Sequence, residues 1–262
     1  MKSLVVLSDL HVGSNFAVMP RKTFCSEGDR WVTPNTLQED LIGLYEGLVE
    51  EWKAPDILVL NGDLMDGKGQ KNFGNTVWSG NFDDQIEACE TLVDMWGAKK
   101  IYVVRGSEYH MSRQGDPAEE ALAKRVGAEP IGSTLSAYEL FLKVEGVTFH
   151  FAHHLASTRV FQYRATALAR EIAMGLLNAS HKHKTDVVVR SHVHYAWETG
   201  SPNHLGFTTP AWQVQTPYMS KLSPSGAIPD IGGLRFTVDG DGFDWQWRLF
   251  KARKPELITV MA

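Results

Sequence analysis

Five short apolar runs, rich in β-branched residues, each end in a carboxylate or an imidazole, and this constrains the chain more than any other feature. Leu4 to Leu7 runs into Asp9 and His11, and Ile57 to Leu60 into Asn61, Gly62, Asp63 and Asp66. Ile101 to Val104 leads to Arg105, Gly106, Ser107, Glu108 and His110; Val147 to Phe151 to His153 and His154; Val187 to Val189 to Ser191, His192 and His194. Runs of this kind separated by helical stretches are the pattern of an α/β layer fold. Open α/β sheets bind ligands at the carboxyl ends of their strands, so these groups are expected to converge.

The intervening segments fit that scheme. Leu37, Leu41, Leu44, Tyr45, Leu48 and Trp52 recur at helical spacing behind a cap at Asn35 or Thr36. Further helices are expected over Asp84 to Trp96, Pro117 to Val126 and about Arg159 to Asn178, the last with Tyr163, Ala167, Ile172 and Leu176 near one face. Tyr138 to Lys143 and Val147 to Phe151 form a predicted hairpin, and Trp212 to Gln215, Leu234 to Val238 and Phe243 to Leu249 predicted strands. Gly13 to Asn35 and Gly67 to Gly80 are expected as surface loops. The expected architecture is two packed β-sheets flanked by helices, in one domain over residues 1–262.

With 26 Lys+Arg against 31 Asp+Glu in 262 residues, the net charge of −5 argues against a basic face tracking duplex nucleic acid or anionic lipid. Cys25 and Cys89 stand far apart, which excludes a disulfide framework and a thiolate zinc site. No signal-peptide core or run of about 18 apolar residues is present, so the expectation is a cytoplasmic protein without membrane contact and without an obligate protein partner. Nine of ten histidines lie at or after position 110, a clustering that calls for a function.

Carboxylate with imidazole, and no thiolate, suits hard or borderline divalent ions. A single D-x-H or H-x-H is ordinarily a turn cap or a hydrogen-bonded surface histidine. In order, however, Asp9-x-His11, Gly62-Asp63-x-x-Asp66, Gly106-Ser107-Glu108, His153 and His192-x-His194 resemble the calcineurin-like metallophosphoesterase family across residues 9 to 194. The resemblance implies two divalent cations, Mn²⁺ first among Mn²⁺, Fe²⁺, Zn²⁺ and Ni²⁺. It assigns Asp9, His11 and His194 to one cation, His153 and His192 to the other, and Asp63 to both, with a water between the cations as nucleophile. Asp66 is expected to orient an imidazole rather than bind metal. Of the adjacent pair His153 and His154, only one can face the cations, because neighbouring side chains on an extended segment point oppositely.

The third motif departs from the family's Gly-Asn-His. Ser107 stands where the family has a metal-binding Asn, and the histidine is displaced to His110. Either Glu108 completes the second cation's ligands or Ser107 does so through its hydroxyl or a water; His110 is the candidate general acid. Bacterial and phage-encoded members are the expected source of such variants.

His150 is expected to be structural, His181 and His183 to be solvated at a helix exit, and His204 is a candidate for the pocket wall. Arg105, and after it Arg190, are candidates for phosphate contact, against structural ion pairs. Trp197, Trp212 and Tyr218 are candidates for stacking on a base. These residues point to a phosphodiesterase acting on a nucleotide or single-stranded nucleic acid. The competing readings are a phosphomonoesterase and a scaffold of the same fold without chemistry.

Overall fold

The computed structural model describes residues 1–68, 76–110, 118–156, 161–180, 183–201, 203–222 and 228–251. Parts of four expectations lie outside them: half of the Gly67 to Gly80 loop, the starts of the two helices at Pro117 and Arg159, and His181. In chain order the elements are β1 (Lys2–Leu7), β2 (Thr23–Cys25), β3 (Arg30–Val32), α1 (Thr36–Trp52), β4 (Ile57–Asn61) and α2 (Phe82–Asp94). Next come β5 (Ile101–Val104), α3 (Ala118–Arg125), β6 (Ser136–Ala137), β7 (Glu139–Val144), β8 (Val147–Ala152) and α4 (Arg164–Leu177). The chain continues through β9 (Val187–Arg190), β10 (Trp197–Ser201), β11 (His204–Thr208), α5 (Pro217–Leu222), β12 (Ile231–Asp239) and β13 (Gly242–Phe250).

One sheet has the order β13-β12-β1-β4-β5-β6, the other β10-β11-β9-β8-β7. β1, β4, β5 and β6 run parallel, as do β8, β9 and β11, so the carboxyl ends of β1, β4, β5, β8 and β9 carry the ligand-type residues. Alternation along β1 shows how the layers form. Leu4 and Val6 join Phe149, Phe151, Val187, Phe207 and Phe236 between the sheets. Val5 and Leu7 face outward onto Leu41, Tyr45 and Leu48 of α1, with α2 and α3 beside them. On the other outer face Leu168 and Ile172 of α4 pack on Val188 of β9. The result is two packed sheets flanked by helices.

Asn35 caps α1 in a reciprocal box with Gln38, satisfying two donors that the first turn leaves open. Other expectations need correction. Gly13 to Asn35 is not an exposed loop: Ala17, Val18 and Met19 are fully buried, and the segment contains the β2–β3 hairpin. Tyr163 and Leu176 are exposed, and Leu168 and Ile172 form the buried face of α4. Trp212 to Gln215 is not a strand; it contributes one bridge, Ala17 with Gln213. Among the described residues, no helix is long and apolar enough to cross a membrane.

Candidate metal centre

Backbone bonds tie the turn after β1 to that after β4, and the turn after β8 to that after β9. Asp9 N–H donates to the Gly62 carbonyl at 3.0 Å, His11 N–H to that of Asp63 at 3.0 Å, and Ser191 N–H to that of His153 at 2.8 Å. Asp9, His11, Asp63, His192 and His194 all have positive φ, five of the eight non-glycine residues that do so among those described. Such backbone costs about 1 kcal/mol or more per residue and persists where the surroundings over-determine it. Two glycines make room: a Cβ on Gly62 would run into the His153 ring, and one on Gly106 into Asp63.

Of three groups of side chains with metal-ligand chemistry, two centre on the buried carboxylates, Asp9 with His11 and His194, and Asp63 with His153 and His192; the third, His11 with Asp66 and His110, shares His11 with the first. In the first, Asp9 Oδ1 lies 3.1 Å from His194 Nε2 and 3.8 Å from His11 Nε2, and the two imidazole nitrogens face each other at 3.3 Å. In the second, Asp63 Oδ2 lies 3.0 Å from His153 Nε2 and 3.8 Å from His192 Nδ1. His153 Nε2 is also 3.9 Å from Asp9 Oδ1, so the groups adjoin. Asp9 Oδ1, His153 Nε2 and His192 Nδ1 are buried without a hydrogen bond. Buried polar atoms of native proteins normally have partners, and carboxylate oxygens and imidazole nitrogens converging in this way are what a cation would satisfy.

Outer contacts fix which nitrogen faces inward. His11 Nδ1 is 3.1 Å from Asp66 Oδ1, and His153 Nδ1 is 2.8 Å from the Asn61 carbonyl. Each acceptor takes the Nδ1 proton and leaves Nε2 as the nitrogen that faces inward. Asp66 also receives Gln213 Nε2 at 3.3 Å, and its carbonyl lies 2.7 Å from His110 Nδ1. His110 Nε2 turns to Asp63 Oδ2 at 3.9 Å, and its ring stands edge-on to His11 at 4.7 Å.

Burial opposes charge on Asp9, but His194 and His153 prevail and hold its pKa down at about 2. Asp63, equally buried, is held well below the usual carboxylate range by His153 and His110. Burial works to lower His153, yet Asp63 and Asp9 raise it to about 9. Burial lowers His11, against the pull of Asp66. His110 is raised: burial opposes its charge, but Asp63 and Asp66 favour it. Glu119, absent from the sequence reading, accepts Gly106 N–H at 3.3 Å; burial and the nearby Asp63 push its pKa up to about 7.

The third motif resolves plainly. Ser107 acts on Asp63: its N–H donates to Oδ1 at 2.6 Å and its hydroxyl lies 3.0 and 2.9 Å from Oδ1 and Oδ2. Glu108 is exposed and belongs to neither group, because it opens a tight helical turn that brings His110 round instead. His154 is exposed, its ring 4.8 Å from that of His192 on the outer side.

Three substrate-contact expectations change. Arg105 binds Ser136 Oγ at 2.9 Å and Glu120 at 3.3 Å, and the buried Arg190 binds Glu171 at 2.9 Å and the His150 carbonyl at 3.1 Å; both serve packing. Trp212 is fully buried against Tyr45 at 4.8 Å, so it presents no face to a ligand, while its backbone N–H donates to the Asp9 carbonyl at 3.0 Å. Trp197 and Tyr218 are partly buried on β10 and α5. His150 stacks on Phe141 at 4.2 Å, and His204 Nδ1 lies 3.1 Å from the Thr185 carbonyl.

No protein-family model and no curated protein sequence matches the chain. Among solved structures, Vps29 from Chaetomium thermophilum is similar with a TM-score of 0.49 and 10% identity, over 97% of this chain and 100% of that one. Vps29 from Entamoeba histolytica complexed with Zn²⁺ has a TM-score of 0.46 and 11% identity, over 95% and 99%. An archaeal phosphodiesterase has a TM-score of 0.46 and 10% identity, over 94% and 99%. At this distance the likeness concerns the course of the chain and not its residues.

Proposed function

We propose that this chain is a phosphoesterase using two divalent cations, with phosphodiesters as its substrate class. The observation that carries the reading is the inward set of buried, unsatisfied atoms, Asp9 Oδ1, His153 Nε2 and His192 Nδ1, at adjoining groups of oxygen and nitrogen donors. Asp9, His11 and His194 would hold one cation, His153 and His192 the other, and Asp63 both. Mn²⁺ is the expected ion, and Fe²⁺, Zn²⁺ and Ni²⁺ suit the same donors. Bound cations supply charge against the phosphoryl oxygens and activate water for attack.

The protein's own groups complete the chemistry. Ser107 fixes the Asp63 carboxylate, and Asp66 fixes His11 and, through its carbonyl, His110. Raised in pKa and 22% exposed, His110 would give a proton to the leaving oxygen. A phosphomonoester dianion calls for added cationic charge. The arginines beside the ligand turns, Arg105 and Arg190, are both engaged by glutamates, which favours the monoanionic diester. With a net charge of −5, nucleotides or single strands are the nucleic-acid substrates that fit, with Trp197 and Tyr218 the aromatic candidates for stacking. Buried free thiols at Cys25 and Cys89 suit a reducing cytoplasm.

Metal content and kcat/KM for bis-(nitrophenyl) phosphate against nitrophenyl phosphate, measured on one reconstituted preparation, test this reading. Stoichiometric metal and a ratio favouring the diester are expected, both lost in Asp63→Ala. Absence of bound metal would overturn the enzyme, and a ratio favouring the monoester would replace diesterase by phosphatase.

A further inference from the structure

Beneath the two groups lies a continuous line of buried polar side chains. Asn61 Nδ2 donates to Ser191 Oγ at 2.6 Å and to the Ala152 carbonyl at 3.2 Å. Ser191 Oγ lies 2.7 Å from Thr209 Oγ1, which lies 2.6 Å from Ser8 Oγ, and Ser8 reaches the Pro210 carbonyl at 3.3 Å. Asn61, Ser191, Thr209 and Ser8 are all fully buried.

The donors have an order. The amide spends both hydrogens, so Ser191 accepts from Asn61 and its own hydrogen is left for Thr209. Thr209 then passes a hydrogen to Ser8 or to the Arg190 carbonyl, 3.4 Å away. Asn61 Oδ1 is left buried without a partner, a cost of about 1–3 kcal/mol for a group whose contribution here is its two donors.

Position in the chain gives the line its meaning. Ser8 precedes Asp9, Ala152 precedes His153, and Ser191 precedes His192. Asn61 stands two residues before Asp63, and its carbonyl is the acceptor that fixes His153 Nδ1. Ser8 follows β1 and Asn61 ends β4 in one sheet, whereas Ala152 ends β8 and Ser191 and Thr209 follow β9 and β11 in the other.

We infer that Asn61, Ser191, Thr209 and Ser8 are positioning residues acting as one unit, holding the ligand turns of the two sheets in register. The inference rests on the two-cation reading above. Its test is Mn²⁺ titration of the full metal-free chain, followed by paramagnetic resonance, with thermal unfolding measured alongside. Thr209→Val keeps the shape and removes the central hydroxyl, and is expected to weaken Mn²⁺ binding at least about tenfold, as loss of outer contacts to metal ligands does. Thr209→Ser restores the hydroxyl and is expected to restore binding to within about threefold, which a purely packing role for Thr209 would not do. Should Thr209→Val fail to fold, Ser191→Ala cuts the same line at its neighbour and carries the same expectation. Wild-type affinity in the foldable variants, or no rescue by Thr209→Ser, would overturn the inference and leave the metal reading standing. A wild-type chain that binds no Mn²⁺ would overturn the metal reading itself.

Discussion

The Ser107 hydroxyl sits between the two carboxylate oxygens of Asp63, 3.0 Å from one and 2.9 Å from the other. A serine in this place grips the carboxylate proposed to serve both cations, donating to it through its N–H and its hydroxyl. Ser107→Ala keeps the backbone bond to Oδ1 and loses the hydroxyl, so metal should still bind. We predict a loss of about tenfold in kcat/KM with little change in unfolding midpoint. Loss of one full equivalent of metal in this variant would show Ser107 to be a ligand instead.

His110 gives the second prediction. Protonation matters most when the departing oxygen is basic. His110→Ala should therefore slow an alkyl diester by about 10²-fold or more, and a nitrophenyl diester much less. Equal losses on both substrates, with metal content unchanged, would make His110 a binding residue.

His153 sets a pH dependence for the metal-free protein. Its folded pKa of about 9 exceeds the unfolded 6.5, so its stabilising contribution is complete below pH 6.5 and is lost as pH rises toward 9. The loss is on the order of 3 kcal/mol. Glu119 acts with the same sign at lower pH, between 4.5 and about 7. Urea unfolding of the chelator-treated chain should show stability falling across the upper window, and His153→Gln should flatten that fall. Mn²⁺ competes with the His153 proton, so its affinity should climb through the same window. Stability that stays level to pH 9 would contradict the assignment.

Trp212 provides a contrast between packing and recognition. Its indole is in the core while its backbone N–H donates to the Asp9 carbonyl. Trp212→Ala should cost about 3–5 kcal/mol of stability. Trp212→Phe should be folded and retain its KM for nucleotide-like diesters. A large KM increase in the phenylalanine variant, with kcat unchanged, would return Trp212 to the substrate pocket.

The ligand-bearing turns were legible because each follows an apolar run that can only be a buried strand, and strand direction then fixes where its end residue lies. Alternation likewise separates His153 from His154. Long-range partners leave no such trace. Arg105 and Arg190 find Glu120 and Glu171, 15 and 19 residues away, through contacts between elements that local pattern does not encode. β10 and β11 are not among the expected strands because Gly200 and Gly206 break their patterns, yet β11 is held by parallel pairing to β9. Gly206 is there for close approach: a Cβ would meet Leu168 and Ile172 of α4. Nor can composition tell a core tryptophan such as Trp212 from a stacking one.

The left-handed backbone at Asp9, His11, Asp63, His192 and His194 sets selection for robustness against selection for chemistry. At each position glycine would relieve backbone strain, and at Asp9 and Asp63 any neutral residue would also remove a buried charge. A library sorted by heat resistance alone, without metal present, should accumulate substitutions at these five sites and lose metal binding as it does so. Sorting in the presence of Mn²⁺ should preserve them, since the bound ion then contributes to the stability being selected.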